Sequence, residues 1–496
     1  MRILNSDRLT SHGNREGRRI AAEILEDSLQ AADPYDNTTH LLRIEGDTLY
    51  VGNDLFVPEG SPRKGIDSYR FGESIDRVFV FGAGKGIQRV AQALEDVLGD
   101  RLTGGMVLIK HQDIHQLRRI QVRYTSHPVP AQDCVDACRE MTQMIGDLDL
   151  TERDLVFTIV GNGVSSMLTY PWDGIKLEDV MEVTRILQIE KGLTTPKLNI
   201  VRNQLDRLKG GRITRLLVPA KMVHLIPIDL NEPNAFGYGG YYGHVHKNFW
   251  LHTLPDISTP EMAIKILKEN NAWDRVGESI RSYLQHVPQG HEVLTPTEFE
   301  KMDARIFGLM PASNSFVDAA MNAARQRGYA PHFLMRRTFV EASAAGTLVS
   351  RMAINVAEEN EPFRAPCMLL LTGEMVVAVN KHDGIGGRNQ EFSLSAASVI
   401  QGNKRIVAVA VDTDGTDGPG GAFHPEAIEL GCDCLAGGMV DGYTAKEAEQ
   451  KGIHICAALQ KHDSSRTLWE LDSGVWSIHN ISIQDLVFVL IMDHDG

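Results

Sequence analysis

Short apolar runs that end in glycine alternate with amphipathic segments along much of the chain. The clearest run, RVFVFGAGKG, covers residues 77–86, and the helical pattern IQRVAQALEDVL follows it. The runs GGMVLIK, which ends at Lys110, and DLVFTIV, which ends at residue 160, repeat the pattern. Near-continuous apolar strands between helices are typical of a mostly parallel sheet covered on both faces. The pattern therefore predicts an α/β fold whose ligands bind at the carboxyl ends of the strands.

Other segments show different periodicities. Residues 15–32 have the pattern of a helix, and residues 41–56 alternate as in a hairpin. Residues 232–256 are rich in Gly, aromatic residues and His, which predicts a long loop or lid. Residues 259–360 are largely helical in pattern, and apolar strands resume at residue 366, where PCMLLLTGEMVVAVN predicts a strand pair.

The length of the chain predicts more than one domain. A chain of 496 residues exceeds what one ordinary core supports. We expect two α/β domains of the Rossmann-like α/β/α type, at residues 1–258 and 259–496.

Composition and charge exclude several classes of protein. The net charge of −15 argues against a nucleic-acid-binding protein, which needs a basic surface. No apolar run reaches about 18 residues, so we expect no membrane span. Six cysteines in so long a chain do not make a disulfide scaffold, which favours a reducing, cytoplasmic compartment. Anionic ligands would therefore be held by local Lys and Arg side chains.

The Gly82–Lys85 turn is the first candidate site. Gly82 and Gly84 let backbone N–H groups approach an anion at the start of a helix. Lys85 is unfavourable beside the positive end of the helix dipole unless an anion is bound there. A plain tight turn is the alternative. An NAD site would need an acid at the end of the next strand, where Lys110 and His111 stand instead, so NAD is disfavoured while NADP stays open.

A second glycine turn, GNGVSS, follows the strand that ends at residue 160. Gly163, Ser165 and Ser166 could cradle phosphate groups through N–H and O–H donors. Its spacing does not match the serine nucleophile motif GxSxG. A structural turn is the alternative.

Two further candidates lie in the first half of the chain. Asn199, Arg202 and Asp206 share one face at helical spacing, and on spacing alone a solvated charged face is favoured. Asp229 ends the apolar run HLIPID, a position enriched at active sites of open α/β sheets. Asp229 could bind a metal ion, accept a proton or cap a helix.

The GGRNQE turn at residues 386–391 carries recognition groups in the second half of the chain. Arg388 suits bidentate binding of a carboxylate or a phosphate. Asn389 and Glu391 stand beside it, and a helix capped by Asn389 is the alternative.

An acidic turn, VDTDGTDGPGG, follows a strand. Its Asp414 and Asp417, with Asp412, suit Mg²⁺, which proteins hold with one or two carboxylates plus substrate phosphates. An EF-hand calcium loop is disfavoured because Phe423, and not Glu, occupies the twelfth position. A plain Asp-Gly turn is the alternative. Together, the lysine and glycine turns, the arginine, the acid at a strand end and this acidic turn are the groups that phosphoryl transfer needs.

The chain resembles the glycerate 2-kinase family, which has an N-terminal glycerate-kinase domain and a C-terminal MOFRL domain, here at about residues 366–490. The motifs that carry the resemblance are Gly82–Lys85, Ser126–Pro130, Asn199 to Gly211, Ala312–Asn314, Gly386–Glu391 and Thr413–Pro419. The resemblance implies ATP- and Mg²⁺-dependent phosphorylation of a small hydroxy acid, typically D-glycerate to 2-phosphoglycerate, in a cleft between two lobes.

The resemblance also implies residue roles. Catalytic roles carry over to Lys85, Asp229 and Arg388. The remaining expected roles are phosphate binding by Gly82, Gly84, Gly163, Ser165 and Ser166, substrate binding by Arg202, Asn389 and Glu391, and metal binding by Asp414 and Asp417. A homo-oligomer is compatible with the sequence.

Two loops depart from the family pattern. The family's SGGGS becomes GNGVS at residues 161–165, and its IASGPT stretch is replaced by the Tyr/Gly/His loop after Asp229. The acceptor therefore stays open between glycerate and a related acid. An NAD(P)H-dependent hydroxypyruvate reductase and a non-catalytic ligand-binding descendant are the alternative functions.

Overall fold

The computed structural model describes residues 1–111, 113–234, 236–310, 316–379, 384–482 and 484–493. The chain forms two compact units. The middle unit is Pro34–Ala312, and the terminal unit joins Met1–Asp33 to Ser313–Gly496. The terminal unit begins with helices α1 (Ser6–Thr10) and α2 (Arg15–Ala32), so the helix predicted at 15–32 is confirmed.

The middle unit contains two sheets. Its strands are β1 (Leu42–Glu45), β2 (Thr48–Val51), β3 (Asp67–Arg70), β4 (Arg77–Ala83), β5 (Gly104–Lys110), β6 (Gln121–Thr125), β7 (Asp154–Val160), β8 (Lys221–Ile226) and β9 (Ala304–Gly308). Its helices are α3 (Pro34–Leu41), α4 (Ile87–Leu98), α5 (Gln132–Asp147), α6 (Val164–Met167), α7 (Leu177–Thr184), α8 (Thr195–Gln204), α9 (Arg212–Arg215), α10 (Gly240–His246), α11 (Pro260–Glu269), α12 (Glu278–Gln285) and α13 (Pro296–Phe299). β1, β2 and β3 form an antiparallel sheet, which confirms the hairpin.

The large sheet of the middle unit is parallel throughout. Its strand order is β6-β5-β4-β7-β8-β9. Val78 and Val80 on β4 belong to one hydrophobic core, and Phe79 and Phe81 belong to another. Because successive side chains of a strand point to opposite faces, both faces of the sheet are covered. The carboxyl ends of these strands therefore share one edge.

The terminal unit has a mixed sheet. Its strands are β10 (Ala330–Thr338), β11 (Cys367–Gly373), β12 (Ile406–Asp412), β13 (Gly437–Asp441), β14 (Gly474–Val475) and β15 (Asp485–Ile491). Its other helices are α14 (Phe316–Gln326), α15 (Ala342–Glu359), α16 (Arg388–Val399), α17 (Pro425–Glu429), α18 (Thr444–Gln450), α19 (Ile455–Gln460) and α20 (Ser464–Glu470). β15, the last strand of the chain, lies antiparallel between β11 and β12.

The predicted α/β class is confirmed, and several local details differ. β9 and β10 lie in the segment expected to be largely helical, and the loop predicted at 232–256 contains α10. The segment PCMLLLTGEMVVAVN forms one strand, β11, in its described part. The units also divide elsewhere than at residue 258, because β9 pairs with β8 while α2 packs on α14. No helix of the described residues is long and apolar enough to span a membrane.

Candidate active site

The two glycine turns of the middle unit lie against each other at the carboxyl edge of its sheet. The turn after β4 bonds to the turn after β7, because the backbone N–H of Lys85 donates to the carbonyl of Asn162 at 2.7 Å. A Cβ at Gly84 would lie 2.6 Å from the backbone of Gly161, and Gly84 has a φ of +137°. No larger residue fits this approach, so glycine is required for the two turns to meet.

Lys85 and His127 converge on the second turn. A Cβ at Gly163 would lie 2.7 Å from the His127 ring and 3.4 Å from Cγ of Lys85. Burial lowers the pKa of His127 to about 4, helped by the positive charges of Lys85, Lys110 and Arg202. His127 is therefore neutral near pH 7, and the positive charges of three side chains act on it. We call Lys85, Lys110, His127 and Arg202 the cation cluster.

Arg202 is the most buried member of the cation cluster, with 6% of its surface exposed. It lies on α8, where its Nη2 donates to Oγ1 of Thr184 at 3.0 Å and to Oε1 of Gln188 at 3.3 Å. Burial lowers the pKa of Arg202 to about 10. Within the described residues, neither Arg202 nor Lys85 forms an ion pair, and Nη1 of Arg202 donates no hydrogen bond. The solvated charged face that spacing alone favoured for this helix is therefore wrong.

A buried cation without a carboxylate is unfavourable in the free protein. Removing a charge from water costs several kcal/mol unless an opposite charge or hydrogen bonds compensate it. The neighbouring Lys209 shows the usual solution, because its Nζ lies 2.6 Å from a carboxylate oxygen of Asp206. The cation cluster lacks such a partner among the described residues, which is the electrostatic condition of a site for an anion.

The two serines of the second turn have different surroundings. The Ser165 hydroxyl accepts a hydrogen bond from Nδ2 of Asn199 and lies 2.9 Å from Nε2 of His252. The Ser166 hydroxyl donates to the carbonyl of Ser126 at 3.1 Å. The Ser166 hydroxyl therefore donates its hydrogen to a group of the protein itself.

Asp229 follows β8 at the same edge of the sheet. One carboxylate oxygen accepts the backbone N–H of Asn231 at 2.9 Å, and the residue is half-buried. Because β8 is parallel to β7, Asp229 and the Gly163 turn lie at the same end of adjacent strands. The structure thus places Asp229 on the edge that carries the cation cluster.

Arg388 is surrounded by carboxylates in the terminal unit. Its Nε donates to Asp485 at 2.8 and 3.0 Å, and its Nη2 donates to Asp412 at 2.7 Å. Asp412 ends β12 and Asp485 begins β15, and the two residues are partners in the antiparallel register. Arg388 therefore binds two carboxylates of its own sheet. Its Nη1 also lies 3.9 Å from a carboxylate oxygen of Glu374. Asp485 could not be predicted from the sequence, because only the pairing of two distant strands brings it to Arg388.

Asp417 caps the helix that Arg388 begins. One carboxylate oxygen accepts both the backbone N–H and Nδ2 of Asn389 at 3.1 Å, and the other accepts the backbone N–H of Gln390 at 2.9 Å. Burial raises the pKa of Asp417 to about 6. The cap of α16 is thus Asp417 rather than Asn389, and its two oxygens are occupied.

Glu391 is also engaged inside the terminal unit. One of its carboxylate oxygens lies 2.7 Å from Nδ1 of His462, and the side chain is buried. The Nδ2 group of Asn389 donates to Asp417 and to Asp485. Asn389 and Glu391, two of the three residues predicted to bind substrate, are therefore bonded within this unit.

Asp414 has a different environment from Asp417. One of its oxygens accepts the backbone N–H and the hydroxyl of Thr416 at 2.7 and 2.6 Å, and within the described residues no hydrogen bond reaches the other. The described part of the chain contains no group of three or more acidic, His or Cys residues that could hold a metal ion. Mg²⁺ needs only one or two carboxylates, so Asp414 fits that mode while Asp417 does not. Asp412 does not fit it either, because its two oxygens accept hydrogen bonds from Nη2 of Arg388 and from the backbone N–H of Asp414.

Comparisons with known proteins agree with this architecture. The family described as "Domain of unknown function (DUF4147)" matches residues 20–234, and the MOFRL family matches residues 367–479. The Ala312–Asn314 motif lies outside the described residues.

Several relatives match most of the chain. A glycerate 2-kinase of Pyrococcus horikoshii is 28% identical and covers 91% of this chain and 92% of its own. A protein of Agrobacterium vitis provisionally named hydroxypyruvate reductase is 30% identical over 80% of this chain and 95% of its own. A solved glycerate kinase of Thermotoga maritima, 25% identical, superposes with a TM-score of 0.71 over 96% of this chain and 99% of its own.

The fold and these matches place the chain among the α/β phosphotransferases with an alcohol group as acceptor. It belongs to the glycerate 2-kinase family.

Proposed function

We propose that this protein transfers the terminal phosphoryl group of ATP to a hydroxyl of D-glycerate or a closely related acid, giving 2-phosphoglycerate or its analogue. The observation that carries the proposal is the cation cluster, which holds positive charge without a carboxylate partner among the described residues. Phosphoryl transfer depends mainly on positioning and charge stabilisation, and this cluster supplies the charge. The names and wide coverage of the relatives support the substrate class.

The middle unit would supply the phosphate-binding groups and the base. Lys85 and Arg202 would neutralise phosphate oxygens, with Lys110 adding to the positive potential. The backbone of the Gly82–Gly86 turn, at the start of α4, would donate N–H groups to the same anion. Asp229 would accept the proton of the acceptor hydroxyl, because it is a carboxylate on the same strand edge.

The terminal unit carries a candidate ligand for a metal ion. Asp414 would hold Mg²⁺, an ion that supplies positive charge to phosphate groups. Arg388 would hold Asp485 and Asp412 in place, and Asp412 accepts the backbone N–H of Asp414.

An ADP-release assay on a panel of hydroxy acids, with ATP and Mg²⁺, tests the proposal. We expect turnover with D-glycerate or a close relative, and loss of about 1,000-fold in kcat/KM for Lys85→Ala. Lys221→Ala is the matched control, because Lys221 begins β8 at the opposite edge of the same sheet. Full turnover in Lys85→Ala would contradict the assigned role, and tight nucleotide binding without turnover would favour a non-catalytic protein.

The relatives named hydroxypyruvate reductase motivate one alternative reaction. Lys110 ends β5, where an NAD enzyme would place an acid for the ribose hydroxyls. We therefore expect no oxidation of NADH by hydroxypyruvate in the absence of ATP. NADPH is assayed beside it, because Lys110 does not exclude a 2′-phosphate. Oxidation at a rate matching the kinase assay would replace the proposed function with a reductase.

A further inference from the structure

Ser165 occupies a distinctive position beside the cation cluster. It is two residues after Gly163, whose Cα faces Lys85 and His127, and it is 9% exposed. Its hydroxyl bonds to Asn199, which precedes Arg202 by one turn of α8. Ser165 thus lies close in sequence to Gly163, which contacts Lys85 and His127, and is hydrogen-bonded to Asn199 on the helix that carries Arg202.

Two completely buried side chains hold the Ser165 hydroxyl. Asn199 is 0% exposed and His252 is 1% exposed. Both polar atoms, Nδ2 of Asn199 and Nε2 of His252, lie 2.9 Å from Oγ of Ser165. A hydroxyl accepts two hydrogen bonds and donates one. Because Asn199 takes one accepting direction, the state of His252 determines where the Ser165 hydrogen points.

His252 is held in its neutral form. Burial keeps the pKa of His252 well below its usual value, and Lys209, Arg202 and Arg212 add repulsion toward a proton. A neutral imidazole carries one N–H, on either Nε2 or Nδ1. A proton on Nδ1 would make Nε2 an acceptor that consumes the Ser165 hydrogen. A proton on Nε2 would fill the second accepting direction of Ser165 and leave its hydrogen available.

We propose that His252 is a positioning residue that donates from Nε2 to Ser165, so that the Ser165 hydroxyl donates its hydrogen to an anion bound at the cation cluster. The inference rests on the proposed function, since it assigns a phosphate group as that anion. Ser165 and Ser166 then differ in role, because the Ser166 hydrogen is already donated to the carbonyl of Ser126. His252 lies in the Tyr/Gly/His segment where this sequence departs from its family.

Calorimetric titration with inorganic pyrophosphate tests the inference without requiring turnover. We expect Ser165→Ala and His252→Leu each to weaken binding by about tenfold, the effect of one hydrogen bond to a charged group. The double variant should bind no more weakly than either single variant, because His252 acts through Ser165. His252→Gln, which retains an N–H donor, should bind within about threefold of the wild type.

His244→Leu is the matched control. His244 is buried in the same unit, and its Nε2 bonds to the carbonyl of Leu230 rather than to Ser165. We expect this variant, if folded, to bind pyrophosphate as the wild type does. Additive losses of pyrophosphate affinity in the double variant would overturn the role of His252, and so would wild-type affinity in His252→Leu. Neither result would contradict the proposed function. A wild type that binds neither pyrophosphate nor MgATP would instead overturn the proposed function itself.

The protonated nitrogen of His252 gives a second test, in which a variant serves only to assign the signal of the wild type. Nitrogen-15 NMR of histidine-labelled wild type distinguishes protonated from unprotonated imidazole nitrogens, and His252→Gln assigns the signal by its loss. If His252→Gln does not fold, the Ser165→Ala spectrum assigns the signal by its shift. A proton on Nε2 supports the inference, and a proton on Nδ1 overturns it.

Discussion

Arg202 and Arg388 are both largely buried, and their surroundings are opposite. Arg388 bonds to two carboxylates of its own unit, Asp412 and Asp485. Arg202 bonds only to a hydroxyl and an amide within the described residues, and it forms no ion pair there. A guanidinium that is already neutralised contributes to the fold, whereas one without an acid is available to an external anion. The difference predicts a structural role for Arg388 and an anion-binding role for Arg202, which their sequence motifs do not distinguish.

The largest expected effect is on stability, in Arg388→Met. The change leaves the buried carboxyl groups of Asp412 and Asp485 without their cation, and we expect a loss of about 3 kcal/mol in the free energy of unfolding. Denaturant unfolding of the whole chain measures this loss of stability, and limited proteolysis of the native chain shows whether the terminal unit is the part affected. A stable Arg388→Met variant would show that the two acids do not need the guanidinium.

Arg202→Met should give the reverse result. We expect kcat/KM for ATP to fall by about 100-fold while the free energy of unfolding stays the same or rises, because an uncompensated charge is removed. Arg212→Met is the comparison, since Arg212 donates to the backbone carbonyls of Asn203, Lys209 and His291 and its loss should destabilise the unit. Destabilisation by Arg202→Met as large as that by Arg212→Met would remove the distinction.

The two units should also respond oppositely to acid. Burial lowers the pKa of His127 to about 4 and that of His224 to about 3, so the unfolded chain binds protons there first as pH falls below 6.5. Their contribution to stability is complete above pH 6.5 and is lost as pH falls toward 4 and 3, with a slope of about 1.4 kcal/mol per pH unit for each proton.

The contribution of Asp417 to stability has the opposite dependence on pH. Its pKa of about 6 lies above the unfolded value, so the folded unit binds the proton more tightly and its contribution falls as pH rises from about 4 to 6. Hydrogen exchange by region, corrected for the intrinsic effect of pH, measures both trends. Equal acid loss of protection in the middle and terminal units would contradict the opposite signs.

The smallest effect is expected from the two acids of the VDTDGTDGPGG turn. Asp417→Asn should cost about 1 kcal/mol through the cap of α16 and reduce exchange protection at its first turn. Asp414→Asn should leave stability unchanged within about 0.5 kcal/mol and raise the Mg²⁺ concentration needed for half-maximal turnover. If Asp417→Asn changed the Mg²⁺ requirement and Asp414→Asn did not, Asp417 would be the metal ligand instead of Asp414.

Much of the local structure could be predicted from the sequence. α2, the β1–β2 hairpin and the turns after β4 and β7 follow from periodicity and glycine placement within short windows. β9 and β10 escaped prediction because helical segments flank both strands. The second strand predicted after β11 is reduced, in its described part, to an isolated bridge between Val376 and Glu341.

The sequence by itself determined the α/β class, the glycine turns at the strand ends and the supply of Lys, Arg and Asp near them. These features depend on neighbours within a few residues along the chain. Only the tertiary structure decided which charges meet: parallel pairing of β4, β5, β6 and β7 brings Lys85, Lys110 and His127 to one edge, and antiparallel pairing of β12 with β15 neutralises Arg388. Strand order joins residues that are tens of positions apart, and whether a charge is compensated depends on those distant neighbours.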